Sequence, residues 1–171
     1  MTLTPNRRMA LLTAFIFASD QLTKLAVLKL LNHTEERIIF PGFFKLVHWV
    51  NTGAAWSLFH DQNTVLAIVS SVALVGLFFW RNHFDTKTLL GQISLGLIFG
   101  GIIGNLFDRI LPTRHHVIDF LRFYLERRGG SEIGFPAFNI ADSAICVGVG
   151  LLFILSWRNE TDGSTSTELR T

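Results

Sequence analysis

Leu89-Leu90-Gly91-Gln92-Ile93-Ser94-Leu95-Gly96-Leu97-Ile98-Phe99-Gly100-Gly101-Ile102-Ile103-Gly104-Asn105-Leu106-Phe107 runs for nineteen residues without a charged side chain. Crossing a hydrocarbon core takes a helix of about 20 apolar residues. Gly96, Gly100 and Gly104 recur at every fourth position, which puts them on one helical stripe where a second helix can approach backbone to backbone. The stretch reads as a membrane-spanning helix packed closely against its neighbours. Residues 9–31, 63–80 and 138–157 are the other runs long and apolar enough to span, and in the last of them Ala144 and Gly148 repeat the small-residue spacing. The expected fold class is therefore an all-α membrane protein of four transmembrane helices.

Composition agrees with this reading. Hydrophobic residues make up 49% of the chain and charged ones 16%, against about 25% charged in soluble domains. The length of 171 residues fits one domain, with residues 1–158 forming the membrane unit and the polar, Ser/Thr-rich residues 159–171 expected to be disordered. Arg7 and Arg8 ahead of an apolar run resemble the start of a cleavable signal peptide. Asp20 and Lys24 interrupt that run and three more spans follow, so a retained first helix is the better reading. A net charge of +2, scattered along the chain, excludes a nucleic-acid partner. Cys146 is the only cysteine, which rules out an internal disulfide and a cysteine metal site; it is expected to be a packed small residue.

The linkers are unequal. Residues 81–88 form a short polar turn, whereas 32–62 and 108–137 are long. The first long linker carries a Pro41-Gly42 turn and then Phe43-Phe44-Lys45-Leu46-Val47-His48-Trp49-Val50. That aromatic and β-branched run predicts a small β element of one or two strands at the membrane surface, extracytoplasmic if the termini are cytoplasmic. In the second, residues 117–124 are expected to form a short amphipathic, interfacial helix, followed by the flexible Arg127-Arg128-Gly129-Gly130.

Four spans bring the end of helices one and three to the same side as the start of helices two and four. Asp20 and Lys24, Asn51 and Gly53, Asn105, Asp108 and Arg109, and Asn139 and Asp142 then all arrive at one membrane face. Charged groups inside a membrane are costly and tend to be functional. Asp119 and Asp142 bracket the last loop, and two carboxyl groups brought together there can share a proton and activate water. The face holding the termini has six basic residues in 30 positions and the other has seven in 61. Density places both termini in the cytoplasm and the site near the extracytoplasmic face, although the raw count does not.

Each residue has a plainer explanation. Asp20 and Lys24 are spaced as a helix ion pair, acid first. Asn139 and Asp142 fit a capping box. Arg109 suits an interface anchor, and Asn51-Thr52-Gly53 a simple turn. His115 and His116 are neighbours that point apart, and His33, His48 and His60 lack ligand spacing, so neither a metal nor any other cofactor is expected. Only the convergence of these groups favours a site.

At these positions the chain resembles the bacterial lipoprotein signal peptidases, the signal peptidase II family. Five blocks carry the resemblance, in order: Ser19-Asp20-Gln21-Leu22-Thr23-Lys24, Asn51-Thr52-Gly53-Ala54-Ala55-Trp56-Ser57, Gly100 to Arg109, Val117-Ile118-Asp119-Phe120, and Phe135 to Ser143. It implies that Asp119 and Asp142 form a catalytic dyad, that Asn51, Gly53, Asn105, Arg109 and Asn139 line the site, and that Asp20 and Lys24 support it. The implied substrates are diacylglyceryl-modified prolipoproteins, cut before the lipidated cysteine in the bacterial inner membrane. The enzyme is expected to be a monomer in contact with membrane lipid. The chain departs from the family pattern at Trp56, where Phe is commoner, and in the long stretch from Glu126 to Gly134. A small transporter or channel is the alternative, since buried polar residues also line ion paths; a non-catalytic assembly protein would leave the five blocks unexplained. Peptide cleavage against ion flux after reconstitution separates enzyme from transporter.

Overall fold

The computed structural model describes residues 3–53 and 61–168, with side chains described as far as residue 158. Ala54 to Ser57, including the Trp56 departure, and His60 lie outside the described residues. Among the described residues, four helices are long and apolar enough to cross a membrane: α1 (Pro5–Leu30), α2 (Asn63–Trp80), α3 (Leu89–Ile110) and α4 (Ile140–Glu168). α3 is the most buried of them and α2 the least. α3 is central and packs against the other three.

The glycine stripe, together with Gly101 beside it, explains why α3 can be central. A Cβ placed on Gly100 would stand 2.6 Å from Ile16 Cβ of α1, and one on Gly101 would stand 2.4 Å from the Ala141 carbonyl oxygen of α4. Both are inside van der Waals contact, so α1 and α4 lie closer to α3 than any side chain there would permit. Gly148 answers from α4, where a Cβ would meet the Ser94 carbonyl at 2.7 Å. The small-residue reading of both spans is thus realised as helix contact.

Between α1 and α2 the chain forms β1 (Glu36–Phe40) and β2 (Phe44–Asn51), antiparallel and joined through Gly42 at φ +70°. A left-handed turn position of that kind favours glycine. The expected interfacial helix after α3 is corrected: Val117–Glu126 is a strand, β3, and β4 (Glu132–Gly134) follows it in a sheet of order β1-β2-β3-β4. Eight residues make a marginal helix in isolation, whereas the free edge of β2 offers unpaired backbone groups that β3 satisfies, with Trp49 opposite Asp119 and Asn51 opposite Val117. Alternation along β3 sends Ile118 and Phe120 into a core with Val27 and Leu31 of the α1 end, which leaves Asp119 facing the other way.

α4 runs on to Glu168, past the last described side chain. One further expectation is revised. Cys146 is exposed instead of packed. α4 turns Ala141, Ala144 and Gly148 inward, and Cys146 falls off that stripe.

Candidate active site

Asn139 immediately precedes α4, and its side chain holds together two carboxyl groups from different elements. Its Oδ1 accepts from the Asp142 N–H at 2.9 Å while the Asn139 N–H donates to Asp142 Oδ2 at 3.2 Å. That is a reciprocal capping box, so the plainer explanation of these two residues is present in full. The Asn139 Nδ2 in turn donates to Asp119 Oδ1 at 2.7 Å. Capping and a possible chemical role therefore use the same pair of residues, with β3 delivering the second carboxyl.

The remaining carboxylate oxygens are held by two more amides. Asn51, at the end of β2, donates to Asp119 Oδ2 at 2.8 Å, and Asn105 of α3 donates to Asp142 Oδ1 at 2.7 Å. Each aspartate thus accepts two hydrogen bonds from uncharged amides. Asp119 is only 4% exposed. Burial, and then the charge of nearby Asp142, push its carboxyl up to about 7, against the smaller opposing effect of the Asn51 and Asn139 bonds. A carboxyl in that range can give or take a proton at neutral pH.

Arg109 does not reach either carboxylate through a hydrogen bond. Its guanidinium donates to the Gly53 carbonyl at 2.8 Å and to Asn63 Oδ1 at 3.0 Å, and the Asn63 amide returns a bond to the Arg109 carbonyl at 3.0 Å. It fixes the β2 exit and the start of α2 to the end of α3. Gly53 N–H also bonds Asn51 Oδ1 at 3.0 Å, so Arg109 and Asn51 orient the same turn.

Behind the aspartates lies a fully buried ionic group. Lys24 meets Asp20 at 2.7 Å, as the spacing predicts, and also Asp108 of α3 at 2.6 Å. Arg114 pairs with Asp108, which balances the second carboxylate. Lys24 further donates to Asn105 Oδ1 at 3.0 Å. With its oxygen so occupied, the Asn105 amide turns its N–H toward Asp142. Asp20 Oδ1 accepts from the Ala141 N–H at 3.0 Å and so ties α1 to the first turn of α4. Asp108, Arg114, Asn63 and Gln21, whose amide donates to Asp108 Oδ1 at 3.3 Å and accepts from Arg114 at 3.1 Å, are the members that the sequence does not assign to the site. The spacing of Asn105, Asp108 and Arg109 on one helical face was the available signal for Asp108; Arg114 gave none because it lies beyond the end of α3, where helical spacing does not predict its contact with Asp108, and Asn63 gave none because its partner Arg109 lies 46 positions away.

Asn51, Asn105, Arg109, Asp119 and Asp142 form the polar wall of a cavity of about 1030 Å³. Leu66 and Ser70 of α2, Ile102 of α3, and Ile145 and Cys146 of α4 continue it along the helices, and Phe135 to Phe138 close its upper edge. The cavity can therefore hold an extended polar chain at its head and apolar groups alongside the helices. A second cavity of about 750 Å³ lies among α1, α2 and α3 at the other end of the bundle and is lined mostly by apolar side chains. Gly53 closes the turn beside the first cavity, whereas His115 and His116 lie on the link between α3 and β3 and do not line it.

Comparison with known proteins covers most of the chain. A family model described as Signal peptidase (SPase) II matches residues 12–158. The lipoprotein signal peptidase of Syntrophotalea carbinolica is 36% identical over 162 residues, covering 93% of this chain and 96% of that one. Those of Maridesulfovibrio salexigens and Bacillus subtilis are 40% and 34% identical, over 82% and 84% of this chain and 89% of each relative. Two solved bacterial membrane enzymes share the fold, one with a TM-score of 0.76 at 28% identity over 90% of both chains, the other with 0.70 at 30% identity over 86% and 90%.

Proposed function

The chain belongs to the signal peptidase II family, and from that premise we propose that it is an intramembrane aspartyl endopeptidase that removes the signal peptide from diacylglyceryl-modified prolipoproteins. It is a peptidase of the family's kind and a multi-pass bacterial membrane protein. The observation that carries the finer reading is that Asp119 and Asp142, which lie 23 positions apart in sequence, share Asn139 as a hydrogen-bond partner on the wall of one cavity.

The chemistry follows from the surroundings of the two carboxyls. Two such groups at one site resist ionising together, so they share one proton and titrate as a pair. Asp119, pushed up to about 7, holds that proton at rest. Asp142 lies in the first turn of α4, where the positive end of the helix dipole favours negative charge. The ionised carboxylate takes a proton from water as the water oxygen bonds to the scissile carbonyl carbon. The protonated partner donates to the carbonyl oxygen. When the C–N bond breaks, the proton gained from water passes to the leaving amine of the cysteine, and the proton lent to the carbonyl oxygen returns to the carboxyl that gave it. The signal peptide leaves with a new carboxyl terminus.

Substrate geometry fits the cavity. The diacylglyceryl chains stay among lipid in the apolar groove beside α2 and α4, which holds the scissile bond at the level of the helix ends. Arg109 and the asparagines position the peptide and the local field without exchanging protons. Lys24, Asp20 and Asp108 keep Asn105 and the start of α4 in place. Both termini are placed in the cytoplasm and the site at the extracytoplasmic face, and the monomer contains every group that the mechanism needs.

The test is cleavage of a diacylated prolipoprotein by Asp119→Asn and Asp142→Asn enzyme. Both should insert and fold, and each should lose cleavage by at least about a hundredfold, as for removal of one proton-transfer group. Substantial turnover by either variant overturns the dyad.

A further inference from the structure

The β3–β4 hairpin keeps its charges on two faces. Glu132 pairs with the buried Lys45 at 2.7 Å and with Arg122 at 3.5 Å. Glu126 is the cross-strand partner of Glu132, so both acids belong to the face that carries Lys45 and Arg122. The opposite face carries Leu125 and its partner Ile133, 64% and 47% exposed, and continues to Phe123, whose ring meets that of Phe43 at 5.2 Å. The Arg127 N–H bonds the Ser131 carbonyl at 2.8 Å. This extends the ladder by one step, and the two-residue repeat puts Arg127 on the Leu125 face. Arg128 follows in the turn made by Gly129 and Gly130, at φ +108° and +81°. Both arginines are exposed, and among the described residues neither forms an ion pair.

An apolar sheet face ending in two unpaired cations matches one environment next to a helix bundle of this kind. It is the surface of a bilayer that contains anionic lipid: apolar side chains enter the headgroup boundary while guanidinium groups meet phosphate. We propose that this hairpin is a membrane-surface anchor that recruits anionic phospholipid beside the cavity. A protein partner is the weaker fit, because the acids that would complete a mixed-charge interface are turned to the other face, where Glu132 is already paired with Lys45 and Arg122. The proposal does not depend on the assignment of Asp119 and Asp142.

The anchor can be tested on the full chain in nanodiscs of phosphatidylcholine and phosphatidylglycerol. A bimane probe is attached at Ile133→Cys in a Cys146→Ser background and quenched with brominated forms of each lipid. Each arginine near an anionic surface favours binding about fivefold, so the local preference for phosphatidylglycerol should be severalfold and at most roughly thirtyfold. It should fall to about one in Arg127→Ser/Arg128→Ser and persist in Arg127→Lys/Arg128→Lys. No quenching by either lipid, as when a second copy or another protein covers the face, overturns the proposal. Equal quenching by both lipids does so too, as does a preference that survives the double serine variant.

Discussion

Asp119→Asn should change stability in a way that depends on pH. In the folded protein this carboxyl is pushed from 3.8 to about 7, mainly by burial. The folded state therefore holds its proton more tightly than the unfolded chain does. The stability this contributes is complete below the unfolded value of about 4, and is lost progressively as pH rises toward 7. The loss amounts to about 4 kcal/mol at neutral pH and above. An asparagine at 119 does not titrate and escapes it. The asparagine also has a cost, because Asn51 and Asn139 donate to both oxygens of Asp119, and an amide at that position leaves one donor facing another, worth about 1–3 kcal/mol. Asp119→Asn should thus be less stable than the parent at pH 4 and more stable at pH 7.5, with the two curves crossing between. The measurement is the thermal midpoint of both proteins in one detergent or lipid system from pH 4 to 8, where about 4 kcal/mol corresponds to roughly 10 °C for a chain of this size. A difference that stays constant across that range would refute the raised carboxyl, and with it the choice of Asp119 as the resting proton holder.

Lys24→Ala leaves Asp20 and Asp108 buried beside each other without their shared cation, and should cost about 3–5 kcal/mol in stability as well as activity; unchanged thermal stability with lost activity would point to a direct catalytic role. Gly101→Ala sets a methyl 2.4 Å from the Ala141 carbonyl and should lower stability by at least about 1–3 kcal/mol, whereas Gly150→Ala meets nothing within 4 Å and should be neutral or slightly stabilising; equal midpoints for the two variants would contradict the close helix contact. Cleavage should persist in strong chelator, and loss that one divalent ion restores would replace the aspartyl mechanism with a metal-dependent one. Cys146 lines the cavity four residues beyond Asp142, so a bulky maleimide should inhibit by filling space and Cys146→Ala should be resistant; inhibition of the alanine variant would place the reactive group elsewhere.

Some of the site was legible because it is local. The i, i+4 spacing of Asp20 and Lys24 and the i, i+3 spacing of Asn139 and Asp142 each describe neighbours on one helical turn, and both contacts form. The glycine stripe was readable for the same reason. The strand at residues 117–124 is not legible in the sequence, because their pattern is compatible with a short helix and only the free edge of β2 favours a strand. That change of element sets which way Asp119 faces. The exposure of Cys146 is not legible either, because an apolar run does not say which stripe of the helix turns inward.

Hydropathy and short-range spacing thus determined the four spans, the close-packed faces of α3 and α4, and the single end of the bundle at which the unusual polar groups gather. These features depend on helix geometry and solvent, which act within a few residues. Only tertiary structure decided that Lys24 would meet Asp108, that Arg109 would hold Gly53 and Asn63 instead of a carboxylate, and that Asn139 would bridge Asp119 and Asp142. Those contacts join residues from different elements, and a buried polar group takes whichever partner the packing brings within reach.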